Sequence, residues 1–166
     1  MDLIMAQDMN LNLIHIVAES TNILSTNFGG GHIYSITIGE DMDNGLLVCR
    51  DEYIGDETWS AKDYVAGDVA CLVLTPPFAY NGKKYQSEEK FFFNAEGEIA
   101  RAYELHIGDI YTISEAGLVG TPAIGSFIDA TNTVSESASE SGFVGEIIDE
   151  VIYSNGMAYR VLVKAL

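Results

Sequence analysis

The sequence predicts a mainly β protein, a small β-barrel or sandwich with an extended N-terminal arm. Short runs rich in β-branched and aromatic residues recur along the chain, such as HIYSITIG at 32–39, and Gly, Pro or Asn-Gly pairs interrupt them. Apolar residues nowhere keep a 3.6-residue period for long, so helix is expected to be minor. Many short strands separated by frequent turns are typical of small barrels and sandwiches.

The chain divides into two parts at a triple glycine, Gly29–Gly31, because glycine adopts positive φ without steric cost. Residues 1–31 are predicted to be an N-terminal arm or a peripheral strand. Residues 32–166 are predicted to form the β-rich body, in which 101–166 show the more regular, barrel-like strand pattern and 32–100 the less regular one.

An apolar run lies ahead of the glycines and is the candidate partner-binding segment. If the segment is an arm, these residues add a strand to a neighbouring protein or lie in its groove. The alternative is that they form an inner strand of the chain's own barrel, and the sequence leaves both open. The residues are Leu11, Leu13, Ile14, Ile16 and Val17.

Three Asn-Gly pairs mark predicted turns within the body. Asn44-Gly45 is predicted to close a two-residue hairpin, since a type I′ turn needs positive φ at both central positions, and Asn155-Gly156 is predicted to be the turn that joins the last two strands. Asn81-Gly82 is a third such turn. The Ser/Glu-rich residues 131–141 offer little to bury and are predicted to be an exposed loop.

Charge limits the classes of partner. Twenty-five acidic and eight basic residues give a net charge of −17, and no basic run occurs. Nucleic-acid binding needs clustered Lys or Arg, so the sequence predicts no nucleic-acid partner, and anionic lipid would repel the chain. The expected partners are proteins, or the acidic residues simply keep the particle soluble.

Other bulk features favour a protein made in the cytoplasm. Apolar residues make up 48%, enough for a packed core, and no apolar run is long enough for a membrane-spanning helix. Asp2 and Asp8 occupy positions where a signal peptide needs positive charge. Cys49 and Cys71 are expected to be reduced thiols, with a disulfide as the alternative.

The motifs give no support for catalysis. The EDMDNG stretch fails as an EF-hand, because aligning Gly45 with the invariant glycine places Met42 at a ligand position. Isolated histidines (His15, His32 and His106) form no metal motif, and neither GxSxG nor GxxxxGK[ST] occurs. We therefore expect no enzyme activity, cofactor or metal.

The aromatic residues of the middle region have two interpretations. They form a sugar-binding face, or they fill the core, and core packing is the more common fate of such residues. The residues are Tyr53, Trp59, Tyr64 and Phe78.

The C-terminal half has a recurring order of turns and strands: RAYELHIGDIYTIS, GTPAIGSFIDATNT, a polar stretch, GFVGEIIDE and YRVLVKAL. It resembles the small head proteins that decorate and stabilise the capsids of tailed bacteriophages. The resemblance covers about residues 98–166.

The resemblance implies a structural virion protein that binds the shell of the major capsid protein, in many copies or as a homo-oligomer. It also implies that the protein is located on the capsid. The alternatives are a tail or baseplate component, and a carbohydrate-binding or receptor-binding module on the virion surface.

Overall fold

A computed structural model describes residues 15–26, 31–77, 91–153 and 156–166. These residues form eleven strands, two short 3-10 turns at Leu24–Thr26 and Glu115–Gly117, and no α-helix, so the prediction of a mainly β protein is confirmed. The strands are β1 Ala18–Asn22, β2 Ile33–Thr37, β3 Leu47–Gly55, β4 Thr58–Asp63, β5 Ala70–Val73, β6 Ile99–Glu104, β7 Ile110–Ser114, β8 Phe127–Ile128, β9 Val134–Ser135, β10 Val144–Tyr153 and β11 Gly156–Ala165.

Five strands close into a barrel in the order β2-β4-β3-β5-β6. Only the β2–β4 pair is parallel, and the other pairs in the barrel are antiparallel. Alternate residues point inward, and small ones such as Ala100 and Ala102 fit the narrow interior. The barrel's buried core residues are Ile36, Ile38, Val48, Cys71, Val73, Ala100 and Ala102.

The other six strands form an antiparallel sheet in the order β1-β7-β11-β10-β8-β9. Its inner face and one side of the barrel share a second apolar core. Barrel residues Leu72 and Leu74 belong to this core together with sheet residues Tyr111, Ile113 and Val161. The barrel and the sheet are therefore joined by common packing, and a two-sheet sandwich is consistent with this arrangement.

The predicted hairpin at Asn44-Gly45 is wrong. β2 pairs with β4 and β6, and β3 pairs with β4 and β5, so the two strands that flank this turn are not partners. Asn44 is instead buried, and its side chain exchanges hydrogen bonds with the backbone of Thr75 (2.9 and 3.0 Å). The Asn side chain thus holds two loops together.

The tight hairpin of the barrel lies at Asp56-Glu57, between β3 and β4. Both residues have positive φ (51° and 58°), as a type I′ turn requires. Asp and Glu lack the freedom of glycine there, so pattern reasoning did not identify this turn. The hairpin of the last two strands is confirmed, but β10 pairs with β11 up to Tyr153 and Gly156, so Gly156 is the first residue of β11 and not part of the turn. Asn81-Gly82 lies outside the described residues.

Strand register decides the state of the two cysteines. Cys71 lies opposite Val48 on β3, so its side chain points into the barrel, and Cys49 is opposite Ala70 and points to the other face. Cysteines on opposite faces of a sheet cannot form a disulfide without backbone movement. Both thiols are free and buried, as the sequence predicts.

The N-terminal part of the described chain packs along the edge of the large sheet. β1 pairs with β7, and the backbone N–H of Val17 donates to the Ser114 hydroxyl (3.0 Å). Ile16 fits where Gly45 and Gly117 leave room: a Cβ on Gly117 would come within 2.8 Å of it. The extended arm stays a prediction for residues 1–14, which lie outside the described residues.

The predicted loop at 131–141 is only partly correct. Residues 135–141 are exposed, but Asn132 is buried with a positive φ of 60°, and its amide donates to the Gly45 carbonyl (3.2 Å). Val134 packs against the large core. Within the described residues, no helix is long and apolar enough to cross a membrane.

Candidate functional site

One end of the barrel carries a polar and aromatic layer in place of the apolar filling found deeper inside. Side chains of a strand alternate between its two faces, so a residue two positions before or after an inward-pointing one also points inward. Ile36, Val48 and Ala102 point inward, and the residues two positions from them, towards this end of the barrel, form the layer. We call these residues, Tyr34 on β2, Arg50 on β3, Trp59 on β4 and Glu104 on β6, the barrel-end cluster.

The guanidinium group of Arg50 lies between two aromatic rings. Its central carbon is 4.2 Å from the centre of the Trp59 ring and 5.1 Å from that of Tyr34. The ring quadrupole attracts the cation, an interaction of about 0.5–2 kcal/mol depending on burial. Among the described residues, no carboxylate lies within 4.0 Å of Arg50, so the rings are its principal charge partners there.

A hydrogen-bond chain crosses the layer through Tyr34. Arg50 donates from Nη1 to the Tyr34 hydroxyl (3.1 Å), and that hydroxyl donates to Oε2 of Glu104 (3.1 Å). Burial, followed by the hydrogen bond to Glu104, raises the pKa of Tyr34. The tyrosine therefore stays neutral and keeps its proton as the bridge between a cation and an anion.

The barrel-end cluster continues into the hairpin of β3 and β4. The Tyr53 ring meets Trp59 edge-on at 5.2 Å, and its hydroxyl accepts a hydrogen bond from the backbone N–H of Glu57 (3.1 Å). Tyr53 is nevertheless 57% exposed, and Ile54 beside it is 55% exposed. The hairpin thus presents an aromatic ring fixed at both its edge and its hydroxyl, with most of its surface open.

A cleft of about 350 Å³ lies at the junction of the barrel and the large sheet. That volume is within the range of small-molecule pockets. Its lining mixes apolar and neutral polar side chains with one carboxylate, Glu19. The lining is formed by Ile16, Val17, Ala18, Glu19, Ser20, Asn44, Leu74, Thr75, Pro76, Pro77 and Tyr103.

Two histidines lie beside carboxylates. His15 Nδ1 lies 2.5 Å from Asp43 Oδ1, and its ring stacks on Phe93. His106 lies between Glu104 (4.0 Å) and Asp109 (3.7 Å). No group of three or more His, Cys, Asp or Glu side chains in the described segments is placed to hold a metal ion.

The structure places the predicted partner-binding residues as follows. Val17 is buried and Ile16 is half-buried, both against the chain's own body. Leu11, Leu13 and Ile14 lie outside the described residues.

Of the predicted aromatic face, the structure brings together Tyr53 and Trp59 only. Tyr64 lies apart, against Gly142, and Phe78 is outside the described residues. Sequence reasoning missed Tyr34, Arg50 and Glu104. Their strand alternation was visible, but the closure that brings β2, β3 and β6 around one barrel end was not.

No family model, curated protein sequence or solved structure matches this chain.

Proposed function

We propose that the chain is a structural protein of a bacteriophage head that binds the shell of the major capsid protein and stabilises it. The observation that carries the proposal is the order of turns and strands in residues 98–166, the stretch that resembles capsid-decorating proteins. Strands β7 to β11 lie within that stretch and make five of the six strands of the large sheet. The same stretch also contains β6 of the barrel, so the resemblance covers most of the large sheet and one barrel strand.

Charge supports the same proposal. A net charge of −17 opposes binding to the packaged DNA and keeps many copies of a small protein apart in solution before assembly. Such a protein acts by burying surface across its contacts with the shell, and stable protein contacts bury roughly 1,200–2,000 Å². The accessible surface of the chain is 8961 Å², which is large enough to include one such contact.

Binding to shells tests the proposal. Empty heads assembled from the major capsid protein of the same genome are mixed with purified protein and sedimented. We expect saturable co-sedimentation at a fixed number of copies per shell, and a higher disruption temperature for the decorated heads. Heads that neither bind the protein nor gain stability would contradict the proposal, and binding to tail assemblies or to a glycan array would favour one of the alternatives.

A further inference from the structure

We propose that the end of the β3–β4 hairpin, residues 51–58, is a docking surface for a protein partner that presents basic side chains around an apolar centre. The hairpin end combines two exposed apolar side chains, Tyr53 and Ile54, with four carboxylates. The inference concerns the chemistry of the partner and holds whether or not that partner is a capsid shell.

The aromatic ring of this surface is held by contacts within the chain. Tyr53 is fixed by the Trp59 ring and by the backbone N–H of Glu57, and Trp59 is in turn covered by Arg50. An aromatic side chain that is already ordered loses little conformational entropy when a partner covers it. Exposed, preorganised Tyr side chains are among the residues that contribute most to protein interfaces.

The hairpin is also open along one edge. β3 pairs with β5 only through Leu47, Val48 and Cys49, and Arg50 adds one further bond to the Val69 carbonyl. Beyond Arg50, β4 is the only described strand that pairs with β3. The β3–β4 pairing shifts register on each side of Tyr53, so the neighbouring exposed side chains Tyr53 and Ile54 lie in an irregular part of this edge.

Charge identifies the partner. Asp51, Glu52, Asp56 and Glu57 are all exposed, and only Asp51 has a described cation within 4.0 Å, Lys62 at 3.8 Å. Carboxylates crowded around an apolar centre repel one another and attract a surface of the opposite sign. Lys or Arg side chains of a partner would meet the carboxylates and lie on the Tyr53 ring as cations on a π face.

The same charges disfavour other occupants. Phosphate, nucleic acid and anionic sugars would meet four negative groups. A second copy of this chain would bring its own acidic hairpin, and like charges facing each other across an interface are unfavourable.

The test uses Trp59, the only tryptophan of the chain, as a reporter because Tyr53 contacts its ring. The full chain is titrated with a short peptide of alternating lysine and leucine while tryptophan fluorescence is recorded. We expect a saturable change whose midpoint moves to higher peptide concentration as salt is added.

Matched variants distinguish binding at the hairpin from attraction of the basic peptide to the chain's net negative charge. The triple variant Glu52→Gln, Asp56→Asn, Glu57→Gln is expected to weaken binding about tenfold. The triple variant Glu98→Gln, Glu136→Gln, Glu140→Gln removes the same charge from exposed sites elsewhere and is expected to leave binding unchanged. Ile54→Ser should weaken binding, whereas Ile152→Ser, at a side chain that is 83% exposed on the β10–β11 hairpin, should not.

Four results would overturn the inference. They are the absence of any change in Trp59 fluorescence, equal weakening by the two triple variants, a neutral glycan that displaces the peptide from Tyr53, and self-association that Ile54→Ser abolishes. Circular dichroism of every variant checks that it keeps the fold, and the two triple variants change only exposed side chains. Failure of the chain to bind capsid shells would contradict the proposed function but would not change the result of the peptide titration.

Discussion

Tyr111 has a hydroxyl group that costs stability. Its side chain is fully buried, and its oxygen has no hydrogen-bond partner among the described residues. Burial also raises the pKa of Tyr111. A buried hydroxyl without a partner is unfavourable by about 1–3 kcal/mol, and its removal leaves the ring packing unchanged.

Tyr111→Phe is therefore expected to keep or increase the free energy of unfolding, by up to about 1 kcal/mol, in urea denaturation. Tyr159→Phe, on the neighbouring strand β11, serves as the control. A loss of stability in Tyr111→Phe would show that the hydroxyl has a partner after all.

Cys71 makes the stability of the fold depend on pH at alkaline values. Burial, together with the negative charge of nearby Glu104, raises the pKa of Cys71 from 9.0 to about 12. Because the folded pKa lies above the unfolded one, the stabilisation is fully present below about pH 9 and is lost as the pH rises towards 12. Wild type should therefore lose more stability between pH 8 and pH 11 than Cys71→Ala does.

Urea denaturation of both proteins at the two pH values measures this difference. Other groups that titrate in this range contribute equally to both proteins and cancel in the comparison. An identical loss in wild type and variant would mean that the Cys71 thiol ionises freely in the folded state.

At the scale of elements, the β3–β4 turn is strained. Asp56 and Glu57 adopt the left-handed region, which costs a non-glycine residue roughly 1–2 kcal/mol. Glu57→Gly should relieve part of this strain and raise the melting temperature. Glu52→Gly, at a strand position of the same hairpin, should lower it, because glycine weakens a strand interior. A lower melting temperature for Glu57→Gly would indicate that contacts of its side chain outweigh the strain.

Strands could be predicted from the sequence where the local alternation of apolar residues determines them. The alternation in HIYSITIG and the apolar rhythm of residues 143–165 identify β2, β10 and β11, and the structure contains all three. The Asn44-Gly45 hairpin failed because the turn residues fit the local geometry while tertiary contacts with Thr75 and Asn94 determine what the turn connects. No local pattern records that β2 pairs in parallel with β4.

Local sequence pattern also revealed only part of the candidate site. The sequence groups Trp59 with Tyr53, Tyr64 and Phe78 as candidate aromatic residues, and of these the structure places Tyr53 in contact with Trp59. Arg50 and Glu104 look like ordinary polar strand positions in the sequence, since only closure of the barrel brings a cation of β3 and an anion of β6 to opposite sides of Tyr34.

At the scale of the whole molecule, the barrel and the large sheet should unfold as one unit. They share a core in which Leu72 and Leu74 of the barrel region pack with Ile113 and Val161 of the sheet. Scanning calorimetry is expected to give one transition, with the calorimetric enthalpy equal to the van't Hoff enthalpy. Two resolved transitions would show that the common core does not couple the barrel to the sheet.

The N-terminal strand should be essential to that unit. A chain that starts at Ile23 lacks Ile16, Val17 and β1, and each buried aliphatic side chain contributes about 1.5–3 kcal/mol to a domain whose stability is only about 5–15 kcal/mol. We expect this chain to aggregate or to lose its cooperative melting transition. A chain that starts at His15 keeps the contact between His15 and Asp43 as well as β1, and is the control.

The pairing of β1 with β7 also sets the order of events during synthesis. Ala18 pairs with Ile113, so the first strand of the described chain leaves the ribosome long before its partner does. The large sheet is completed only after β11, which ends at Ala165 and lies on the other side of β7, has been made. Contacts between residues so distant in sequence slow folding to the millisecond-to-second range that is common for β proteins. Ile16 and Val17, the apolar residues just before β1, therefore stay uncovered until β7 has been made, and the yield in the cell should depend on how well chaperones cover them.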